Sequence, residues 1–513
     1  MLFAELAQTS VAVAETRARS AKIDLLATCL DGLLSEEVPA ALMFLSGTLS
    51  RIGVGWAALR DLPTPAAVAT LEILDVDRAL ERIASASGRG SQGTRRRALE
   101  EVFALATEPE QRFLRGILHG ELRQGALEGV MVEAVARAAE VPAAAVRRAL
   151  MLAGELPPVA GAAFAEGSQG LARFRLEVLR PVKPMLAQTA EDVATAIDRT
   201  GPAAAEWKLD GARLQVHRLG GEVRAFTRSL ADITDRVPEV VAAVLALPVE
   251  AVVLDGEVVA LRPDGRPHPF QISMSRFGSS ASKRAEGHPV LSPFFFDCLH
   301  LDGDDLLDRT YEERVAALDR VVPDEARVPR AVTTDADEAE RFLENALARG
   351  HEGVVVKALE APYHAGRRGA AWVKVKRAVT LDLVVLAAEW GHGRRQGKLS
   401  NLHLGARDPE RGFVMLGKTF KGMTDEMLAW QTGHLLELAT ERDRHVVHVR
   451  PELVVEIAFD GVQESRRYPG GVALRCARVK GYRPDKAASE ADTIELVRAL
   501  HAGEMPGPSG VDG

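Results

Sequence analysis

The sequence predicts a multidomain chain: an all-α N-terminal domain, an α+β central domain and a small C-terminal β-barrel. Its 513 residues exceed what one hydrophobic core organises and imply about three units. Apolar residues recur at helical spacing in the first third, then in short β-branched runs, then in strand-turn-strand patterns. Proline and small-residue punctuation falls where the pattern changes.

Residues 1–168 carry the helical pattern, as in Ala21-Lys-Ile-Asp-Leu-Leu-Ala-Thr-Cys-Leu and Val130-Met-Val-Glu-Ala-Val-Ala-Arg-Ala. Within them, Ser87-Gly-Arg-Gly-Ser-Gln-Gly-Thr-Arg95-Arg96-Arg97 reads as a glycine-rich basic loop running into a helix. Such a loop suits phosphate, because backbone amides and a helix N-terminus both face the anion; the plain alternative is a solvated surface loop. A second block, Phe113-Leu-Arg-Gly-Ile-Leu-His-Gly-Glu-Leu-Arg123-Gln-Gly125, sets glycines beside Arg123. It reads either as a close backbone approach to a ligand strand or as two helices packing at glycine. Pro157-Pro158 and the small-residue run to Gly170 read as a connector, and 169–182 is the expected linker.

Residues 183–378 form the expected α+β domain. Strands are expected at Leu214-Gln-Val-His-Arg, Val223-Arg-Ala-Phe, Val252-Val-Leu-Asp-Gly-Glu-Val-Val and Gly353-Val-Val-Val-Lys, and helices at Pro238 to Leu247, Tyr311 to Leu318 and Asp337 to Arg349. In 379–502, strand patterns at Leu381-Asp-Leu-Val-Val-Leu, Leu402-His-Leu-Gly, Phe413-Val-Met-Leu and Leu453-Val-Val-Glu-Ile-Ala-Phe are consistent with an OB-fold. Thr424-Asp425 caps a helix there. The Gly/Pro/Ser-rich tail, 503–513, is expected to be disordered.

The chemistry concentrates in the central domain. Glu206-Trp-Lys208-Leu-Asp-Gly-Ala-Arg213 sets a lysine among an acid, a glycine and an arginine. A lysine amine becomes a nucleophile only when burial or neighbouring cations favour its neutral form. Alone, Lys-x-Asp-Gly also fits a hairpin turn with a solvated lysine. The ordered set that follows decides against that reading: Phe226-Thr-Arg228, Leu254-Asp-Gly-Glu257, Phe294-Phe-Phe296-Asp297, Glu352-Gly-Val-Val-Val-Lys357 and Trp372-Val-Lys374-Val-Lys376.

These blocks together resemble the ATP-dependent DNA ligases of the covalent nucleotidyltransferase superfamily, of the bacterial or archaeal three-domain type, and the likeness covers nearly the whole chain. The resemblance implies that Lys208 takes AMP from ATP, that Glu206 lies at the adenine edge, that Arg213 and Arg228 lie near ribose and phosphates, and that Phe296 stacks on the base. It also implies nucleotide contacts from Arg368, Lys374 and Lys376. The last two share a strand face, because side chains alternate. Glu257 and Glu352 are the implied magnesium ligands, hard oxygen donors of the kind that ion prefers; Glu257 also lies among the ATP contacts. Ala473-Leu-Arg475-Cys-Ala-Arg478 and Tyr482-Arg483-Pro-Asp485-Lys486 resemble the last motif of the superfamily, with Arg483, Asp485 and Lys486 implied to orient leaving pyrophosphate, although Cys476-Ala477 replaces the family's usual Phe-Pro after the first arginine. Arg95, Arg96, Arg97 and Arg123 are the implied DNA contacts.

The expected substrate is nicked duplex DNA bound by a monomer, with a sliding clamp or repair proteins as candidate partners and no membrane. A net charge of −8 runs against DNA binding unless the basic clusters share a face. Cys29, Cys298 and Cys476 lack the paired spacing of a zinc knuckle or disulfide framework. The N-terminal residues lack a secretion signal, which places the chain in the cytoplasm with the nucleoid. Rival readings are an RNA ligase or capping guanylyltransferase, disfavoured by the helical domain, and a non-catalytic nick-binding relic, disfavoured by the intact lysine and arginine set.

Overall fold

The computed structural model describes residues 1–47, 59, 62–88, 90–120, 122, 124–268, 290–364, 368–376 and 379–502. Arg123 and the tail 503–513 lie outside them, as do the side chains of Arg368 and Arg394.

The N-terminal region is helical. In the helix Ile73–Ser85, the buried residues Ile73, Val76, Ala79, Leu80 and Ile83 trace the single stripe that a 3.6-residue repeat generates. The helix Glu108–His119 starts on a capping box, with Thr107 N and Oγ1 donating to Glu110 Oε2 at 2.8 and 2.6 Å, and stops at Gly120, whose φ is +66°. These helices share one apolar core.

The expected connector is itself a helix. Leu156–Ala172 carries Pro157 in its first turn, where the missing N–H is no loss, and bends at Gly167. Its Leu156, Val159, Ala160 and Ala163 join the helical core. The true connection follows it and is pinned along its length: His217 Nδ1 accepts from Leu179 N at 3.0 Å, and Gln215 Oε1 accepts from Val182 N at 2.8 Å.

The central domain contains β1 (Leu186–Ala190), β2 (Ala203–Lys208), β3 (Ala212–Leu219), β4 (Glu222–Thr227), β5 (Ala251–Ala260), β6 (Leu291–Leu301), β7 (Asp304–Asp305), β8 (Arg330–Thr333), β9 (Gly353–Ala358) and β10 (Arg368–Val375). They form two five-stranded sheets, in the orders β1-β10-β9-β2-β8 and β4-β3-β5-β6-β7. Helices Val193–Thr200 and Ala336–Ala348 pack their apolar faces on the first sheet, and Pro238–Leu245 and Tyr311–Val321 on the second. The opposite faces of the two sheets meet through Met185, Val253, Tyr363 and Trp372. The expected strands and helices of this domain are present with shifted ends.

The C-terminal region is built on β11 (Val379–Trp390), β12 (Leu399–Asp408), β13 (Gly412–Thr419), β14 (Ala439–Arg442), β15 (Val446–Val449) and β16 (Val454–Phe459), with β17 (Gly461–Glu464), β18 (Val472–Arg475) and β19 (Arg478–Tyr482) following. β11 pairs β12 on one edge and both β15 and β16 on the other, within a seven-stranded antiparallel sheet. Thr424 caps the helix Asp425–Glu437 by accepting from Met427 N at 3.2 Å. Among the described residues no helix is long and apolar enough to cross a membrane.

Candidate active site

Asp210-Gly211 is not a hairpin turn. It carries the chain from β2, in the first sheet, to β3, in the second, so Lys208 sits where the backbone crosses between them. Gly211 is required there: a Cβ would lie 2.4 Å from the Val258 carbonyl oxygen and 2.9 Å from Glu257 Cγ. Gly353, opposite Lys208 in the β2–β9 register, has φ +148°, and its Cβ would meet the Val375 oxygen at 2.1 Å. The blocks legible in sequence are therefore backbone approaches as well as side chains.

Strand alternation sorts the side chains of β2. Ala203 and Trp207 face the helices behind the first sheet, while Glu206 and Lys208 face the second sheet. Lys208 forms an ion pair with Glu352. Lys376, just past β10, binds the same Glu352 oxygen at 2.5 Å. Burial opposes ionisation of Glu352, but the two ammonium groups outweigh it and hold its pKa below the ordinary value. Burial, and then Glu352, push Asp210 up to about 6, against the pull of Arg475 and Lys208. Burial likewise pushes Glu257 up to about 7, although Lys208 and Arg213 oppose the shift. Three carboxylates and two lysines thus form one electrostatic cluster.

Glu206 is placed differently. It is 2% exposed and paired with Lys357, itself 2% exposed, and it accepts from the Tyr311 hydroxyl. Burial pushes Glu206 up and Lys357 down. The Lys357 ammonium lies 4.2 Å from the centroid of Phe296, 4.3 Å from Trp372 and 4.9 Å from Tyr311, a cage of three rings. Phe296, the expected base-stacking residue, therefore lines the cleft with one cation beneath it and the Arg213 guanidinium 5.4 Å from its centroid.

Arg213 makes a bidentate pair with Asp255, Nε–Oδ1 at 3.0 Å and Nη2–Oδ2 at 2.6 Å. Its charge is compensated on the spot by that carboxylate. Lys374 lies on β10 opposite Val355, on the cleft face. Arg368 begins β10, and Arg228 is exposed in the turn after β4.

Two groups of expected contacts are not brought together. Arg95 turns back to donate to the Ala86 carbonyl at 2.6 Å, Arg96 pairs with Glu100 at 2.8 Å, and Arg97 is exposed. All three lie on the helix Ser91–Leu105, where consecutive residues point about 100° apart, so they do not make one patch. Arg483 and Lys486 close on Asp382 of β11, at 3.0 and 2.6 Å, and Arg483 also holds Asp485 at 2.7 Å. Arg475, of the same motif, does reach the lysine cluster, 3.9 Å from Asp210. Cys476, beside it, is exposed with φ +52°, a left-handed conformation unusual for a side-chain-bearing residue.

The sequence gives no sign of a role for Asp255 and Lys357, although both stand inside its blocks. It has no signal for Tyr311 and Tyr363, which reach the cleft only through the fold.

Known proteins share this organisation. Family models described as "DNA ligase N terminus", "ATP dependent DNA ligase domain" and "ATP dependent DNA ligase C terminal region" match residues 57–136, 184–376 and 395–486. The chain is 60% identical over 519 residues to a probable DNA ligase of Anaeromyxobacter sp. (strain Fw109-5), covering 99% of this chain and 100% of that protein. It is 58% identical over 507 residues to a probable DNA ligase of Mycolicibacterium gilvum (strain PYR-GCK), covering 98% and 99%. A solved structure, Pmar-Lig_PreS3, has the same fold, with a TM-score of 0.61 at 18% identity over 93% of this chain and 99% of that one. With matches across all three regions and the Lys208 cluster inside the central one, the chain belongs to the ATP-dependent DNA ligase family.

Proposed function

We propose that this protein seals 5′-phosphate/3′-hydroxyl nicks in duplex DNA, during replication, repair or recombination, through a lysyl-AMP and a DNA-adenylate. Lys208 Nζ bonds to the α-phosphorus of ATP as the bond to pyrophosphate breaks. A 5′-phosphate oxygen at the nick then displaces the lysine, and the 3′-hydroxyl displaces AMP. Catalysis of such transfers is mainly alignment and charge stabilisation.

The observation that carries this reading is the shared carboxylate: Lys208 and Lys376 both bind Glu352 at the sheet crossing. Attack requires Lys208 to leave Glu352 and lose a proton. Lys376 stays on Glu352 when Lys208 leaves, so the carboxylate keeps a cationic partner. Glu206 keeps lone pairs for the adenine edge beyond those given to Lys357 and Tyr311, Phe296 stacks on the base, and Arg213, Arg228, Arg368, Lys374 and Lys376 serve ribose and phosphates.

The carboxylates fit magnesium. Burial raises Asp210 and Glu257, which a divalent cation would reverse. Among the described residues no group of three or more His, Cys, Asp or Glu side chains is placed to hold a metal ion; magnesium would need one or two carboxylates plus substrate phosphates and water. Glu257 and Glu352 would hold it, and it would neutralise charge on the phosphates.

The C-terminal sheet is read as an OB-fold that closes on the nucleotide through Arg475. Arg483, Asp485 and Lys486 would orient pyrophosphate after exchanging Asp382 for it. The helical region would contact duplex backbone through the exposed Arg97, with Arg95, Arg96 and Arg123 as the other candidate contacts, and the protein would act as a monomer, with a sliding clamp or repair proteins as partners.

Incubation with α-labelled ATP followed by denaturation tests the first step. Label is expected on wild-type protein and absent from Lys208→Ala; nicked duplex should then be sealed without further ATP. Label persisting on Lys208→Ala would overturn the assignment.

A further inference from the structure

A guanidinium has five N–H groups, and four of those on Arg213 are already directed. Nε and Nη2 hold Asp255, Nη2 also reaches the Tyr363 hydroxyl at 3.3 Å, and Nη1 donates to the Met185 carbonyl at 2.6 Å. Among the described residues, one Nη1 hydrogen is left for a ligand. How that hydrogen points depends on the rotation of the whole planar group, and the rotation is set by what holds Asp255.

The holder is Tyr363. Its hydroxyl donates to Asp255 Oδ2 at 2.7 Å and accepts from Met185 N at 3.0 Å. Met185 thus meets this ring of contacts twice, at Tyr363 through its N–H and at Arg213 through its carbonyl. Tyr363 and Asp255 are each 1% exposed, so no water competes for these bonds. The Tyr363 ring packs edge-on against Trp372, with centroids 5.9 Å apart, and Trp372 in turn lies 5.6 Å from the Arg213 guanidinium. The guanidinium plane is therefore fixed by rings on its faces and by a closed circuit of hydrogen bonds at its edge.

We propose that Tyr363 is a positioning residue for nucleotide binding: its hydroxyl sets the rotation of Arg213, so that the last Nη1 hydrogen meets the ribose or phosphate of ATP. This rests on the reading of Arg213 as a nucleotide contact. Tyr363 touches no reacting atom and acts only through Asp255 and Arg213.

Tyr363→Phe removes the hydroxyl and keeps the packed ring. In multiple-turnover nick sealing it is expected to raise KM for ATP about tenfold, the scale of one lost hydrogen bond to a charged group, with kcat changed less than about twofold. Asp255→Asn, which disturbs the same circuit from the other side, is expected to raise KM as well. The decisive measurement is the double-mutant cycle with Arg213→Lys: in that background Tyr363→Phe should add less than about twofold. Effects that multiply, or a fall in melting temperature with KM unchanged, would overturn the proposal. Absence of label on the wild-type protein would instead remove the reading of the site beneath it.

Discussion

Lys208 and Lys357 face the same cleft, and each pairs with a glutamate across the β2–β9 register. The Lys208 and Glu352 side chains are 25% and 12% exposed; those of Lys357 and Glu206 are 2% and 3%. The accessible pair shares its carboxylate with Lys376, so an ammonium can leave without stranding a lone charge. The sealed pair sits in a cage of aromatic rings, where separating the partners would leave an unpaired buried ion. A buried pair of this kind is costly to break even where its net contribution to stability is small. The contrast assigns bond-making to the first pair and a fixed wall for the adenine to the second.

The largest expected effect tests the first half of that contrast. Lys208→Ala should lower lysyl-AMP formation by at least about 1,000-fold, as loss of a nucleophile does, while urea denaturation shows a loss of no more than about 1 kcal/mol, the typical value for a single substitution. A large stability loss with residual labelling would make Lys208 a structural residue like Lys357.

Lys357→Met tests the second half. Leaving Glu206 buried without its cation should cost about 3–5 kcal/mol in urea denaturation. Adding Glu206→Gln should return much of it, because the uncompensated charge is gone. An unchanged denaturation midpoint in Lys357→Met would show that the cage does not need its cation.

The same contrast explains what the sequence disclosed. The Lys208 block was readable because its residues are neighbours in the chain and their types are constrained by chemistry. The strands of the central domain were readable because β-branched runs repeat. That Asp210-Gly211 crosses between sheets was not readable, since the dipeptide is equally suited to a hairpin. The helix Leu156–Ala172 was hidden because proline and glycine mark breaks in a local reading, whereas proline in a first turn breaks nothing. Tyr311 and Tyr363 carried no local signal, because their partners Glu206 and Asp255 lie more than a hundred residues away. The Arg483 cluster matched a motif, but Asp382, which the motif does not include, takes its charges.

His217 sharpens the comparison with a sealed group that is kept neutral. Burial pushes its pKa from an ordinary 6.5 down to about 3, and its Nδ1 accepts from Leu179 N in the connection between domains. The unfolded chain protonates this histidine near 6.5 and the folded chain does not. Its contribution is therefore complete above that pH and is lost as pH falls from 6.5 toward about 3, at up to about 1.4 kcal/mol per pH unit. His217→Gln, which can still accept and donate, should flatten the fall in stability between pH 6 and 4, by denaturant titration at each pH, by up to that slope. An unchanged slope would mean that His217 is protonated without unfolding.

The smallest effect comes from an exposed pair. Arg148 donates to both carboxylate oxygens of Asp308, at 2.6 and 2.7 Å, joining the helical region to the central domain, with side chains 47% and 68% exposed. Its geometry is better than that of Lys208 with Glu352, yet water surrounds it, and water decides the energy. Arg148→Ala should cost no more than about 1 kcal/mol, and the difference from wild type should shrink as salt rises past roughly 0.15 M, where screening acts within about 8 Å. A loss several times larger, insensitive to salt, would mean that this contact is sealed from solvent in solution and that exposure is the wrong criterion for separating the working pairs of this protein from the structural ones.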